Sequence, residues 1–284
     1  MSSSPIIIFT YNRIFHTRKL LNSISNCKKF SKSKIFIFSD GYKKKILTDK
    51  KKVLEVRKEL KKFSKKNKNV ELLFQNKNVG LYQNLTRGIS NILKKYSDAI
   101  IVEDDLTLDE NFFIFMNKGL STYKKNKNIL QVTGYSYPIK CNNNSAYFLN
   151  LTSCWGWGIW SDRWFDFIKF TQDKNLVYGI YKKISSDKSL KNRFNLNGSF
   201  NYLHLLKKQI NSDFNSWGVL FYLFSFYKNY LNLFPPYSLV RNTGFDGSGS
   251  HRSTSDIFNI TVNKSPKKII YPKKVKKNDP ILVQ

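Results

Sequence analysis

The sequence of 284 residues is short of acidic side chains: 19 Asp and Glu stand against 49 Lys and Arg, for a formal net charge of +30. A surface with this excess of positive charge attracts phosphates, anionic lipid headgroups and nucleic acid, and it speeds the encounter with anionic substrates. Hydrophobic residues make up 41% of the chain and aromatic residues 15%, which argues against a disordered protein. The chain is long enough to bury a sizeable core.

Cysteine and long apolar runs are scarce as well. Cys27, Cys141 and Cys154 are far apart without a CxxC pair, which argues against a disulfide framework or a zinc site and favours a reducing compartment. The longest apolar stretch, 217–227, is about half of what a membrane-spanning helix needs. Residues 1–10 lack the basic and apolar segments of a signal peptide. We therefore expect a cytoplasmic protein, with transient attachment of its lysines to the inner surface of an anionic membrane as an option.

Short strands and helices alternate between residues 5 and 102. Continuous apolar or β-branched runs predict buried strands, and apolar residues at helical spacing predict the helices between them. The predicted strands are 5–9, 34–38, 70–74 and 99–102. This alternation indicates βα units around a mostly parallel sheet flanked by helices, and therefore an α/β fold.

The pattern changes after residue 110, where helices predominate. The sequence there predicts helices at 112–123, 182–208 (interrupted by a loop) and 217–227, a strand at 129–133, and a glycine-rich loop at 239–251. No internal repeat is present. We expect one domain over residues 1–264, whose second half forms the acceptor side, and a basic tail over 265–284.

Three adjacent carboxylates, Glu103, Asp104 and Asp105, follow the strand predicted at 99–102. They repel one another, and a divalent cation among them would reverse that balance. Hard oxygen ligands suit Mn²⁺ or Mg²⁺, which takes water and phosphate oxygens as further ligands. The alternative is an acidic turn at the start of the next helix. In a chain this short of acids we favour the metal site.

Polar residues follow two other predicted strands. Asp40 could accept a hydrogen bond from a nucleotide base or ribose, or cap a turn. Thr10 and Arg13 could hold a base and a phosphate, with Arg13 as the charged contact. These residues and the acidic cluster all lie at the carboxyl ends of strands, where open parallel sheets bind ligands.

Three features of the second half could complete such a site. The segment 155–160 holds three tryptophans and two glycines; indole rings stack on sugars and glycine lets backbone approach a ligand, with core packing as the alternative. The loop 242–251 could close over a diphosphate, with amide groups and His251 facing it, or be a surface loop. Asp213 lies outside the acidic cluster and is a candidate general base.

Taken in order, these segments resemble nucleotide-diphospho-sugar transferases of the GT-A fold. More narrowly, they resemble bacterial relatives of N-acetylglucosaminyltransferase I and family 2-like glycosyltransferases. The resemblance spans residues 5–252. The segments that carry it are PIIIFTYNR, IFIFSDG, NVGLYQN, IIVEDDL, QVTGY, SCWGWGIWSDRW and PPYSLVRNTGFDGSGSH.

The resemblance implies an inverting, metal-dependent transfer of a sugar from a UDP-sugar to a hydroxyl of a glycan or lipid-linked glycan, lipopolysaccharide being one example. The sugar would be N-acetylglucosamine or another hexose. Asp105 would bind Mn²⁺ (or Mg²⁺) directly, while Glu103 and Asp104 would contact the donor sugar and the ribose.

The same resemblance implies further donor contacts. Thr10 and Arg13 would lie near the nucleotide, and Asp40 would contact the uracil or ribose edge. Trp157 and its neighbours would form the floor under the sugar and acceptor. His251 and its loop would cover the diphosphate.

The base of the reaction is the weakest match. In relatives the carboxylate lies just before a tryptophan, where this chain has Asn215, Ser216 and Trp217, so the nearest acid is Asp213. A non-catalytic protein that binds nucleotide sugars or glycans on the same scaffold is therefore the alternative function. A nucleic-acid partner is not expected, because the lysines are spread over helix faces and no RNP, KH or zinc motif is present.

Overall fold

The computed structural model describes residues 3–137, 144–212, 216–247 and 268–277. The predicted alternation between residues 5 and 102 is present throughout. It consists of β1 (Ile6–Thr10), α1 (Ile14–Asn26), β2 (Ile35–Ser39), α2 (Asp49–Lys66), β3 (Val70–Phe74), α3 (Leu81–Leu93) and β4 (Asp98–Glu103). The four strands pair in parallel in the order β3-β2-β1-β4, with Ile8 opposite both Ile37 and Val102.

The second half of the chain completes the sheet and adds helices to both of its faces. Its elements are β5 (Leu106–Leu108), α4 (Phe112–Tyr123), β6 (Ile129–Thr133), β7 (Tyr147–Leu149), β8 (Trp157–Trp160), α5 (Ser161–Gln172), α6 (Lys174–Ser186), α7 (Lys188–Phe194), α8 (Tyr202–Ile210), α9 (Trp217–Tyr227), β9 (Leu231–Phe234) and β10 (Val240–Asn242). The eight-stranded sheet has the order β3-β2-β1-β4-β8-β6-β9-β7, and β5 pairs with β10 apart from it. In the large sheet β7 and β8 run against the other strands. The predicted α/β fold with a mostly parallel sheet is confirmed.

Both faces of the sheet are buried. Along β1, Ile6 and Ile8 belong to the apolar cluster that includes residues of α1, α2 and α4, whereas Ile7 and Phe9 belong to the cluster that includes residues of α3, α5 and α9. A strand between two covered faces needs apolar side chains at every position, which is why β1, β2 and β4 are continuous rather than alternating runs.

The helices of the second half differ from the prediction in one place. The stretch predicted as one interrupted helix, 182–208, belongs to three helices, α6, α7 and α8. Asp187 accepts a hydrogen bond from the Leu190 amide and Asn201 from the His204 amide, so each side chain caps the start of a new helix. The helices predicted at 112–123 and 217–227 are confirmed.

Short strands were not predicted from the sequence. β5, β7 and β10 have three residues each, and β10 lies inside the stretch predicted as a loop, 239–251.

In the described part of the tail, the Tyr271 ring stacks on Phe115 at 5.6 Å, and the Tyr123 hydroxyl donates to the Pro272 carbonyl at 2.8 Å. Among the described residues, no helix has the length and apolarity that crossing a bilayer requires.

Candidate functional site

A cavity of about 550 Å³ opens at the carboxyl ends of β1, β2 and β4. Its walls come from the loops that leave these strands, from the start of α3 and from residues 242–245. The predicted site residues that line it are Thr10, Arg13, Asp40, Glu103, Asp104 and Asp105. The parallel arrangement of β1, β2 and β4 brings their carboxyl ends to one edge, so residues far apart in sequence meet there.

Arg13 lies among the acidic residues. Its Nη2 is 2.5 Å from Asp104 Oδ1 and 3.1 Å from Asp105 Oδ2, and the Tyr11 amide donates to Asp104 Oδ2 at 3.1 Å. A metal ion is therefore not the only cation that makes these crowded carboxylates tolerable. The guanidinium supplies part of the positive charge, and it joins the loop after β1 to the loop after β4.

One guanidinium does not neutralise three carboxyl groups. Burial, together with the negative charges of Asp105 and Asp104, raises the pKa of Glu103 to about 8, against the opposing effect of Arg13. Burial also raises the pKa of Asp104, although its ion pair with Arg13 opposes this. The cluster therefore retains an excess of negative potential that a further cation would relieve.

The oxygen chemistry of the cluster fits a hard divalent cation. The Thr243 amide and hydroxyl both donate to the Asp105 carbonyl, at 2.8 and 2.9 Å, which holds the loop 242–247 against Asp105. A Cβ added at Gly244 would overlap Asp105 Oδ2. Glycine at this position therefore leaves space for the Asp105 carboxylate, which a larger residue would occupy. Within the described ranges, no three His, Cys, Asp or Glu side chains form a ready ligand group. A metal ion here would take most of its ligands from water and a bound phosphate, as Mg²⁺ usually does.

Asp40 is bound by the chain itself. Its Oδ1 accepts from the Gly41 and Val79 amides, and its Oδ2 accepts from the Asn78 side chain and the Gly80 amide, all between 2.8 and 3.0 Å. Asp40 is buried, at 4% exposure. These contacts favour the turn-capping alternative for Asp40, in which it joins the end of β2 to the segment that begins α3.

Replacing Asp40 by Ala should lower the unfolding free energy by about 2–4 kcal/mol, because four hydrogen bonds to a buried charged group are lost and their donors stay buried. Thermal unfolding of the ligand-free chain measures this. The control is Asp98→Ala, at the first residue of β4. This change should alter the unfolding free energy by less than about 1 kcal/mol. If Asp40→Ala unfolds like the wild type but binds ligand worse, Asp40 is a ligand contact instead.

The floor of the cavity depends on Asp49, which the sequence analysis did not identify. Asp49 accepts hydrogen bonds from the Tyr11 hydroxyl, the Asn12 side chain (2.5 Å) and the Lys43 amide (2.6 Å). These bonds lower the pKa of Asp49 despite its burial. A signal was available, because Asp49 is the one acid between Asp40 and Glu55 in a lysine-rich stretch.

Trp157 does not reach the cavity, contrary to the predicted role in the floor. It is fully buried in β8 and stacks on Trp217 with ring centroids 5.3 Å apart. Trp155 lines the cavity instead, and its ring meets Tyr135 edge-on at 4.5 Å. Trp155 precedes β8, where the chain is free to turn its ring towards the ligand space.

Thr10 and the loop 242–247 are held by contacts with distant parts of the chain. Thr10 is buried, with its hydroxyl 3.4 Å from the Phe38 carbonyl. His16 Nε2 lies 3.1 Å from the Thr243 carbonyl and 3.2 Å from Asp246 Oδ2, which ties α1 to this loop. The predicted base Asp213 and the predicted diphosphate contact His251 lie outside the described residues.

No family model and no curated protein matches this chain. Several solved structures are similar to it. The mannosyltransferase PcManGT from Pyrobaculum calidifontis, in complex with GDP-Man and Mn²⁺, is 7% identical over 56% of this chain and 45% of that chain, with a TM-score of 0.38.

Two other solved structures show a similar degree of likeness. GalNAc-T7 with UDP, GalNAc and Mn²⁺ is 11% identical over 84% of this chain and 43% of its own, with a TM-score of 0.47. S. aureus TarS 1-349 is 12% identical over 60% and 49%, with a TM-score of 0.37. The chain therefore spans less than half of each of these structures.

Proposed function

We propose that this protein is a glycosyltransferase that moves a sugar from a UDP-sugar donor to a hydroxyl of a glycan or lipid-linked glycan. The observation that carries the proposal is the meeting of Arg13 with Glu103, Asp104 and Asp105 in the cavity at the carboxyl ends of β1, β2 and β4. A diphosphate is the ligand that such a mixed site accommodates, since it needs both cationic contacts and an anionic seat for a metal ion.

In this proposal Asp105 holds Mn²⁺ or Mg²⁺ together with the donor. The ion would supply positive charge at the diphosphate leaving group. Asp104 stays paired with Arg13 and faces the ribose, and Glu103 faces the donor sugar. Trp155 takes the place of Trp157 as the aromatic surface for the sugar or the acceptor. Asp40 supports the nucleotide region through the segment 78–80.

The reaction that we propose is a single displacement with inversion. The acceptor oxygen forms a bond to the anomeric carbon while the bond from that carbon to the diphosphate oxygen breaks. The acceptor's proton passes to a carboxylate base, which we assign to Asp213 because it lies shortly before Trp217 in the sequence. N-acetylglucosamine, or another hexose, is the proposed sugar, on the resemblance of the sequence to relatives of N-acetylglucosaminyltransferase I.

Asp213→Asn should lower the rate of transfer by about a hundredfold and leave donor affinity unchanged, because an amide cannot take the acceptor's proton. Steady-state transfer and donor titration separate the two effects. Asp166→Asn, the same change at an exposed position of α5, should transfer at the normal rate. Normal transfer by Asp213→Asn would move the base to another residue without affecting the donor site.

Gly244→Ala should weaken metal-dependent donor binding about tenfold or more, because the new Cβ overlaps Asp105 Oδ2 and displaces that carboxylate. Donor titration with Mn²⁺ present measures the loss. Gly179→Ala is the matched control, since a Cβ there meets nothing within 4 Å and alanine favours the helix. An equal loss in both variants would exclude a local effect at Asp105.

A thermal-shift screen with nucleotide-diphospho-sugars, with and without Mn²⁺, tests the proposed function directly. A bound donor stabilises the folded chain in proportion to its affinity. We expect a UDP-sugar to raise Tm only when Mn²⁺ is present, and the same mixture to release UDP slowly without acceptor. Stabilisation without any UDP release would indicate a non-catalytic binding protein. No stabilisation by any nucleotide sugar would overturn the proposal.

A further inference from the structure

The segment 43–58 exposes apolar side chains among lysines. Leu47 is 96% exposed, Leu54 is 51% exposed and Ile46 is 48% exposed. Leu47 precedes α2 and Leu54 lies one and a half turns into it, where both line a shallow groove of about 440 Å³ with Lys50, Lys51 and Lys58. An amphipathic helix normally turns its leucines inward, so this exposure is a feature to explain.

The charge around these side chains is predominantly positive. The exposed lysines of the segment are Lys43, Lys44, Lys45, Lys50, Lys51, Lys52 and Lys58, and the exposed acid is Glu55. Asp49 does not offset them at the surface, since it is 1% exposed and bonded to Tyr11 and Asn12. We call Ile46, Leu47, Leu54 and these lysines the lysine–leucine surface.

We propose that the lysine–leucine surface docks on an anionic lipid bilayer. Lysines attract the anionic headgroups while neighbouring leucines enter the boundary between headgroups and acyl chains, and each contribution is weak alone. A second copy of this chain is not the partner, because two such surfaces would repel each other. Nucleic acid would use the lysines but would leave the three apolar side chains without a role.

The position of this surface supports a membrane partner. Lys43 and Ile46 belong both to the lysine–leucine surface and to the wall of the site cavity. Asp49 ties the same segment to Tyr11 and Asn12 in the cavity floor, so the two regions are held together. Docking would therefore bring the mouth of the cavity to the plane of the bilayer. The docking itself does not rest on the proposed function.

Vesicle co-sedimentation of the full chain, without donor or acceptor, tests the docking. We expect binding to vesicles of phosphatidylcholine with phosphatidylglycerol, weaker binding in high salt, and little binding to phosphatidylcholine alone. Lys50→Glu with Lys51→Glu should weaken binding at least tenfold. Leu47→Ser with Leu54→Ser should weaken it about tenfold at unchanged charge.

Matched variants in the other half of the chain complete the test. Lys182→Glu with Lys183→Glu makes the same charge change on α6, and Leu176→Ser replaces another exposed leucine. Both should bind vesicles nearly as wild type does.

Equal losses of vesicle binding in the α2 and α6 charge variants would mean that only the net charge of the chain matters, and would overturn the proposal. Normal vesicle binding by the leucine variant, with tight binding to a DNA duplex, would make the surface a nucleic-acid face. If the wild-type chain releases UDP but does not bind the anionic vesicles, the docking proposal fails and the proposed function stands.

Discussion

Asp105→Ala should reduce sugar transfer by about a thousandfold and abolish the stabilisation that Mn²⁺ and a UDP-sugar give together. Electrostatic stabilisation of a leaving diphosphate is the largest contribution that we assign to the site, and Asp105 is the carboxylate proposed to hold the ion. UDP release and Tm with the metal present measure the two effects independently.

The same variant should not be less stable in the absence of metal and donor. Asp105 contributes to the negative potential that raises the pKa of Glu103, so its removal relieves repulsion in the ligand-free chain, which offsets the loss of its 3.1 Å contact with Arg13. Asp98→Ala, at the opposite end of β4, is the control and should keep the Mn²⁺ response. An Asp105→Ala chain that still responds to Mn²⁺ and releases UDP would rule out Asp105 as the metal ligand.

Arg13→Met should lower the unfolding free energy by about 3–5 kcal/mol, because it leaves the buried carboxylate of Asp104 without its ion-pair partner. In a chain of this size that corresponds to a fall in Tm of roughly 5–8 °C. Methionine keeps an unbranched, flexible side chain and removes the guanidinium with its charge, so the change is confined to the outer end of the side chain. Thermal and urea unfolding measure the loss.

Two comparisons separate this effect from a general sensitivity to lost arginines. Arg18 pairs with Glu59 at the surface at 3.3 Å, and Arg18→Met should cost less than about 1 kcal/mol. Added Mn²⁺ should restore part of the stability of Arg13→Met, since a second cation at the cluster replaces some of the lost charge. A normal Tm for Arg13→Met would mean that the carboxylates need no internal counter-charge.

The elements between residues 5 and 102 were predictable because their signals are local. An apolar run such as Ile6–Phe9 indicates a strand buried on both faces, and the polar residues that follow it lie at the carboxyl end by chain order alone. The acidic cluster at 103–105 could be assigned to the site for the same reason. Strands of three residues, such as β5 and β10, carry no comparable signal, since they exist only through pairing with each other.

The sequence by itself determined the α/β class, the mostly parallel sheet and the edge of that sheet on which the polar residues collect, because periodicity and order act over a few neighbouring residues. Only the tertiary structure decided that Arg13 neutralises Asp104 across 91 positions, that Asp40 and Asp49 hold loops, and that Trp155 rather than Trp157 faces the cavity. The physical reason is that a charge or a ring takes its role from what the fold brings beside it, and those neighbours come from distant parts of the chain.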